Sequence, residues 1–171
     1  NPERYFQNIR DQLASLKSNS LENPVNNITE QPDLVPVFLV GFPRSGTTLL
    51  DTILRSHSSI DVVEEQPLVS SAKAFVEKSG YSEIGQDLPQ EVLVGARKAY
   101  ITELYKHIQT LDKKSIFIDK LPLNILQIPL IRQLYPQAKF ILALRHPLDT
   151  ILSCWMQNFK LNSAMANMVD L

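Results

Sequence analysis

From residue 37 onward the chain alternates short apolar runs with stretches of helical periodicity. Val37-Phe38-Leu39-Val40 is an unbroken apolar run, suited to a strand buried on both faces. Ile60–Val63, Ser115–Ile118 and Lys139–Leu144 read the same way. Between them the period changes. Thr47–Arg55 predicts a helix with Leu50, Ile53 and Leu54 facing inward, and a further helix is expected after Pro67. Pro89–Leu111 carries the stripe Leu93, Ala96, Tyr100, Leu104, Ile108 and Leu111, with Pro89 placed as a helix start. Asn124–Tyr135 is expected to be helical with a kink at Pro129. Pro147–Phe159 has proline at its first position and Asp149 in its first turn, both helix-start signals. Strands alternating with helices predict an α/β fold with a parallel sheet covered on both faces. Ahead of it, Phe6, Ile9, Leu13 and Leu16 predict an amphipathic helix over residues 2–17. Residues 19–36, with three prolines and several asparagines, read as a linker. The expected organisation is therefore residues 1–34 as helix and linker, and 35–171 as one compact domain.

Composition narrows the function classes. The net charge of −1 gives no basic field to recruit nucleic acid or an anionic membrane. An anionic ligand would have to be held by a few placed cations. Cys154 is the single cysteine, so no intrachain disulfide can form, and it reads as a small buried apolar residue. No apolar run reaches the length of a membrane span and no signal peptide is visible, although a chain beginning at Asn1 leaves room for a removed segment. Asn27-Ile28-Thr29 matches a glycosylation acceptor and reads as a chance match in a loop. His57, His107 and His146 read as helix-end or surface residues, and no His/Cys cluster has metal-ligand spacing.

The strongest chemical signal is Gly41-Phe42-Pro43-Arg44-Ser45-Gly46-Thr47-Thr48. It follows an apolar strand and opens a helix in the G-x-x-x-x-G frame of a Walker A loop. Such a loop wraps backbone N–H groups around an anion at a helix N-terminus. The glycines supply turn geometry and close approach, and the threonines add hydroxyl donors. A nucleotide triphosphatase has Lys after the second glycine; here Thr47 stands there and the cation is Arg44. A sulfuryl group carries less charge than a triphosphate and can be transferred without a metal, so the change favours a phosphosulfate. Downstream, the strand ending at Leu144 leads into Arg145, with Ser153 on the following helix, one turn beyond Asp149. Arg145 and Ser153 can share one phosphate; equally, Arg145 can pair with Asp149.

The PRSGTT segment after its strand resembles the 5'-phosphosulfate loop of sulfotransferases. It is closest to the tyrosylprotein sulfotransferases and to bacterial sulfotransferases fused to helical repeats. The Arg145…Ser153 spacing resembles their 3'-phosphate site. The resemblance covers roughly 37–159 and implies a three-layer α/β/α P-loop fold. It also implies a chain that continues past the last predicted helix, so the domain is expected to be C-terminally incomplete. By the resemblance, Arg44, Ser45, Gly46, Thr47 and Thr48 hold the 5' end of 3'-phosphoadenosine-5'-phosphosulfate, and Arg145 and Ser153 hold its 3'-phosphate. No metal is required. Glu64-Glu65 reads from sequence alone as a solvated acidic pair; the resemblance makes Glu65 the general base, with Glu64 as alternative. Asp119-Lys120-Leu121-Pro122 reads either as a Walker B aspartate or, by resemblance, as a Lys-x-Pro whose Lys120 stabilises the transferring group, Asp119 orienting it and Arg44 assisting. Trp155, Met156 and Phe159 are expected to pack in the core, with the lining of an acceptor pocket as the alternative. Gln157 stands where tyrosylprotein sulfotransferases tend to carry a basic residue.

The resemblance thus implies an enzyme that yields 3'-phosphoadenosine-5'-phosphate and a sulfated acceptor, whether protein tyrosine, sugar, lipid or small amine. A P-loop triphosphatase or kinase, or a nucleotide-binding module without turnover, are the other readings. No nucleic-acid partner is expected. Helical repeats preceding the domain, and a bacterial cytoplasmic setting with the Golgi lumen as alternative, complete the expectations.

Overall fold

The computed structural model describes residues 34–82, 87–108 and 116–157, together with residues 3, 7, 10, 11 and 14. Those five residues are helical and exposed, in keeping with the helix expected over 2–17. The stripe Phe6, Ile9, Leu13, Leu16, the linker before residue 34 and the Asn27 motif lie outside the described residues.

Four strands follow the apolar runs: β1 (Val37–Gly41), β2 (Ile60–Glu64), β3 (Ile116–Lys120) and β4 (Lys139–Ala143). They pair in parallel in the order β2-β3-β1-β4. Five helices lie between and after them: α1 (Thr47–Leu54), α2 (Leu68–Lys78), α3 (Gln90–Leu104), α4 (Ile128–Leu134) and α5 (Pro147–Trp155). The α/β class with a parallel sheet is as expected. In-register residues share a sheet face, because side chains alternate along a strand. Phe38 pairs with Asp119 and Phe140, and Leu39 with Lys120 and Ile141. Phe38, Val40 and Phe117 therefore enter the main core. There they meet Leu68, Ala72 and Val76 of α2, Leu93, Ala96 and Tyr100 of α3, and Leu130, Ile131 and Leu134 of α4. Aromatic rings fill its centre: Phe38 stacks on Phe140 at 5.7 Å between centroids, and Tyr100 meets Tyr135 edge-on at 5.4 Å. No helix among the described residues is long and apolar enough to cross a membrane.

Several elements depart from expectation in instructive ways. Leu50 and Leu54 of α1 are only half-buried, and Ile53 is 58% exposed; the buried residues of that helix are Thr47 and Asp51. Asp51 on the inner side pairs with Arg55, so that side satisfies a buried charge as well as excluding water. Pro129 starts a helix instead of kinking one. A 3-10 turn covers Pro122–Gln127, and α4 begins afresh with Pro129 in its first turn, where a missing N–H costs nothing. The stripe of α3 is buried as expected through Leu104, where the helix ends, and Leu111 lies outside the described residues. Trp155 and Met156 do not pack in the core: they are 79% and 75% exposed, because α5 turns Thr150 and Cys154 inward instead. Phe159 is outside the described residues. Among the described residues, coverage of the sheet is thus unequal, closed over the α2–α4 side and thinner near the β4 edge.

Candidate active site

The strands deliver their polar residues to their carboxyl ends, where open parallel sheets bind ligands. After β1 the chain turns through Phe42–Ser45, closed by a bond from the Ser45 N–H to the Phe42 carbonyl at 3.1 Å. Gly46 then caps α1 with φ of 90°, a left-handed conformation that suits glycine. Gly41 is glycine for a different reason: a Cβ there would lie 2.7 Å from the Ala143 carbonyl oxygen of β4. The first bond of α1 runs from the Leu50 N–H to the Gly46 carbonyl at 3.0 Å. The N–H groups of Thr47, Thr48 and Leu49 precede it and have no acceptor within the helix. An anion at that end would meet them together with the Thr48 hydroxyl.

Lys120 is the hub of the site. It ends β3 and is fully buried. Its ammonium donates to Glu64 Oε1 at 2.6 Å, to Glu65 Oε1 at 3.0 Å and to Thr48 Oγ1 at 3.4 Å. A buried ammonium needs such partners, since desolvation without them is costly. Glu64 is the last residue of β2. Glu65 follows it with φ of 52°, and its N–H donates to the Lys120 carbonyl at 2.7 Å, so the two chains are stitched where their side chains meet.

The second cluster brings Arg44, Arg145 and Ser153 together across more than a hundred residues of chain. Arg44 Nε donates to Ser153 Oγ at 3.1 Å, and Arg145 Nη1 donates to the Arg44 carbonyl at 3.2 Å. Arg145 thus reaches the loop rather than Asp149. Arg44 has φ of 69° and is exposed. Cys154 donates its thiol toward the Pro43 carbonyl at 3.8 Å, and burial pushes that thiol up from its ordinary value, which fits an inert packing residue. His146 caps α5 through its backbone, accepting from the Thr150 N–H at 3.0 Å, and makes no side-chain cap.

Asp119 does not join the site. It lies next to Lys120 in sequence but on the opposite face of the sheet, fully buried, where it accepts from the Tyr100 hydroxyl at 2.9 Å and from Asn124 Nδ2 at 3.5 Å. Burial raises its carboxyl to about 7, against the pull of the Tyr100 bond. It neither touches Lys120 nor faces the loop, so neither a Walker B role nor an orienting contact with Lys120 fits its position.

Sequence reading missed two residues. Asp51 is buried on α1, and Arg55 grips it from the next turn through Nε at 2.8 Å and Nη2 at 2.7 Å. The signal was present as an opposite-charge pair four residues apart on the helix after the loop.

The family model described as "Sulfotransferase family" matches residues 36–170. An uncharacterized protein of Aquifex aeolicus is 34% identical over 75% of this chain and 18% of its own length. A putative protein-tyrosine sulfotransferase of Caenorhabditis briggsae is 35% identical over 64% of this chain and 39% of itself. Nodulation protein NoeE of Sinorhizobium fredii is 32% identical over 64% of this chain and 28% of itself. The chain spans well under half the length of each of these relatives. The family match runs from the strand before the Phe42–Ser45 loop through the helix that carries Ser153, and the chain belongs to the sulfotransferase family.

Proposed function

We propose that the site transfers a sulfuryl group from 3'-phosphoadenosine-5'-phosphosulfate to an acceptor hydroxyl or amine. The observation that carries this reading is the position of Lys120, whose ammonium meets the loop hydroxyl of Thr48 on one side and the carboxylates of Glu64 and Glu65 on the other. One cation therefore joins an anion cradle to a base. In the reaction the acceptor oxygen attacks sulfur in line, forming the new S–O bond. Glu65 takes the acceptor's proton. The bond from sulfur to the bridging oxygen breaks, and its electron pair leaves on the 5'-phosphate of 3'-phosphoadenosine-5'-phosphate. Lys120, with Arg44, offsets the charge that builds on those oxygens. The loop residues Ser45, Gly46, Thr47 and Thr48 hold the 5' end, and Arg145 and Ser153 hold the 3'-phosphate. The Arg44–Ser153 bond supports placing both anion sites within reach of one donor. The position of Asp119, turned toward Tyr100, speaks against a magnesium-dependent triphosphatase. The name of the Caenorhabditis briggsae relative suggests that protein tyrosine is among the acceptor classes to try first.

Calorimetry with 3'-phosphoadenosine-5'-phosphate in the absence of metal, set against ATP with magnesium, tests the reading. Metal-free binding of the first ligand is expected, weakened by about 1.5–3 kcal/mol in Arg145→Ala, the range for a hydrogen bond to a charged group. Binding of magnesium-ATP alone would overturn it.

A further inference from the structure

Glu64 and Glu65 are adjacent in sequence but differ in their surroundings. Both accept from Lys120, yet Glu64 also faces a second cation: its Oε2 lies 3.4 Å from Arg55 Nη2. That same Nη2 donates to Asp51 Oδ2 at 2.7 Å while Nε donates to Asp51 Oδ1 at 2.8 Å. Asp51 is 1% exposed, so its charge is anchored by the core and its carboxylate fixes the guanidinium at two points. The result is a chain of alternating charge that runs from the buried side of α1 to the catalytic pair: Asp51, Arg55, Glu64, Lys120, Glu65.

Building on the reading above, we propose that Arg55 is a positioning residue, which holds Glu64 as the fixed counter-ion of Lys120 and leaves Glu65 as the carboxylate that works. A lysine ammonium is a compact charge on a long stem with no directional fork. Shared between two equivalent carboxylates, it would have no reason to sit against Thr48 rather than elsewhere. The two-point grip of Asp51 on Arg55 removes that freedom by tethering one carboxylate and not the other. Glu64 ties through both oxygens. Glu65 ties to Lys120 through Oε1 and is more exposed, at 57% against 40% for its neighbour. The division of labour in the Glu-Glu pair thus comes from α1, an element that the sequence pattern presents only as the helix after the loop.

The Arg55–Glu64 contact is partly exposed, and such pairs contribute little to stability. Its effect should therefore appear in the behaviour of Lys120 and not in melting. With lysine side chains labelled with nitrogen-15, a buried, paired ammonium exchanges slowly enough with water to be seen by NMR, and the Lys120 signal is assigned by its loss in Lys120→Arg. In Arg55→Lys, which keeps a positive charge beside Asp51 but loses the fork, exchange of the Lys120 ammonium protons is expected to quicken by up to about fivefold, equivalent to about 1 kcal/mol. Glu64→Gln should act in the same direction. The two substitutions together should do no more than Glu64→Gln alone, since Arg55 acts through Glu64. Glu64→Gln leaves the Asp51–Arg55 pair intact and keeps the test open should Arg55→Lys unfold. An unmoved Lys120 signal in Arg55→Lys would overturn the proposal, as would an Arg55→Lys effect that persists undiminished in the Glu64→Gln background. Binding of 3'-phosphoadenosine-5'-phosphate is measured in the same samples. If the Lys120 signal responds but the nucleotide does not bind, the positioning role stands and the sulfuryl-transfer reading falls; the converse pattern removes the positioning role alone.

Discussion

Arg44 and Glu65 are the non-glycine residues with positive φ among those described, at 69° and 52°. Such conformations cost on the order of 1–3 kcal/mol each and persist only where the surroundings impose them. Here the surroundings are visible. Arg44 is held by Ser153 and Arg145, and Glu65 by the backbone and side chain of Lys120. Arg44 was legible as a candidate from its loop motif, and Glu65 only through the family resemblance. Asp119 was singled out too, but its burial against Tyr100 was not legible, because that depends on which face of β3 meets the core. Its burial carries a pH prediction. The unfolded chain releases this proton near 3.8 and the folded chain near 7. A carboxyl raised on folding contributes most at low pH, and that contribution is lost as pH climbs through the window. Over about three units the loss is roughly 4 kcal/mol. Asp119→Asn keeps an acceptor for the Tyr100 hydroxyl without the charge. Urea unfolding at pH 4, 6 and 8 should show the variant gaining on the wild type as pH rises. A difference that stays constant with pH would place the titration elsewhere.

At the scale of elements, β1, the loop and α1 form the unit that builds the site, and its two glycines do different jobs. Gly46 has no atom within 4 Å of where a Cβ would stand, so Gly46→Ala costs only the conformation, roughly 1–2 kcal/mol for a left-handed residue. Gly41→Ala instead drives a methyl into the Ala143 carbonyl, and two paired backbones must part to admit it. The expected order is therefore a larger loss of unfolding free energy for Gly41→Ala than for Gly46→Ala, read from urea titrations. Equal losses would mean that the β1–β4 pair yields easily. The G-x-x-x-x-G frame marked both positions in advance. What the frame could not show is that α1 presents Thr47 and Asp51 inward. A hydrophobic stripe was read there from the spacing of Leu50, Ile53 and Leu54, whereas the helix packs beside buried charge. Pro129 was misplaced for a related reason: a proline in a helical pattern fits a kink or a fresh start equally, and only the 3-10 turn before it settles which.

Across the whole molecule, the two sides of the sheet are unlike. The α2–α4 side is a closed aromatic and aliphatic core, and its alternating pattern could be read from the chain because period and burial agree there. The loop side depends on polar ties. From α5, Thr150 and Cys154 are buried, while Leu148, Ile151, Leu152 and Trp155 are more than half exposed. The helix is joined to the loop by the Arg44–Ser153 and Arg145–Arg44 bonds. An element with few buried apolar contacts opens at lower free energy than the core. A ligand spanning the loop and Arg145 would tie α5 to β1 and raise the free energy of local openings that release it by about 2.7 kcal/mol at a hundredfold excess over its Kd, whereas local openings of α3 would leave it bound. Amide hydrogen exchange should therefore slow in α5 on adding 3'-phosphoadenosine-5'-phosphate, by a larger factor than in α3, whose core contacts the ligand does not touch. Arg145→Ala should shrink the difference. If the two helices gain protection equally, the nucleotide stabilises only the global fold, and α5 is already fixed without it. If α5 alone responds, the loop side of the sheet is completed by the nucleotide, and the opposite side needs no such help.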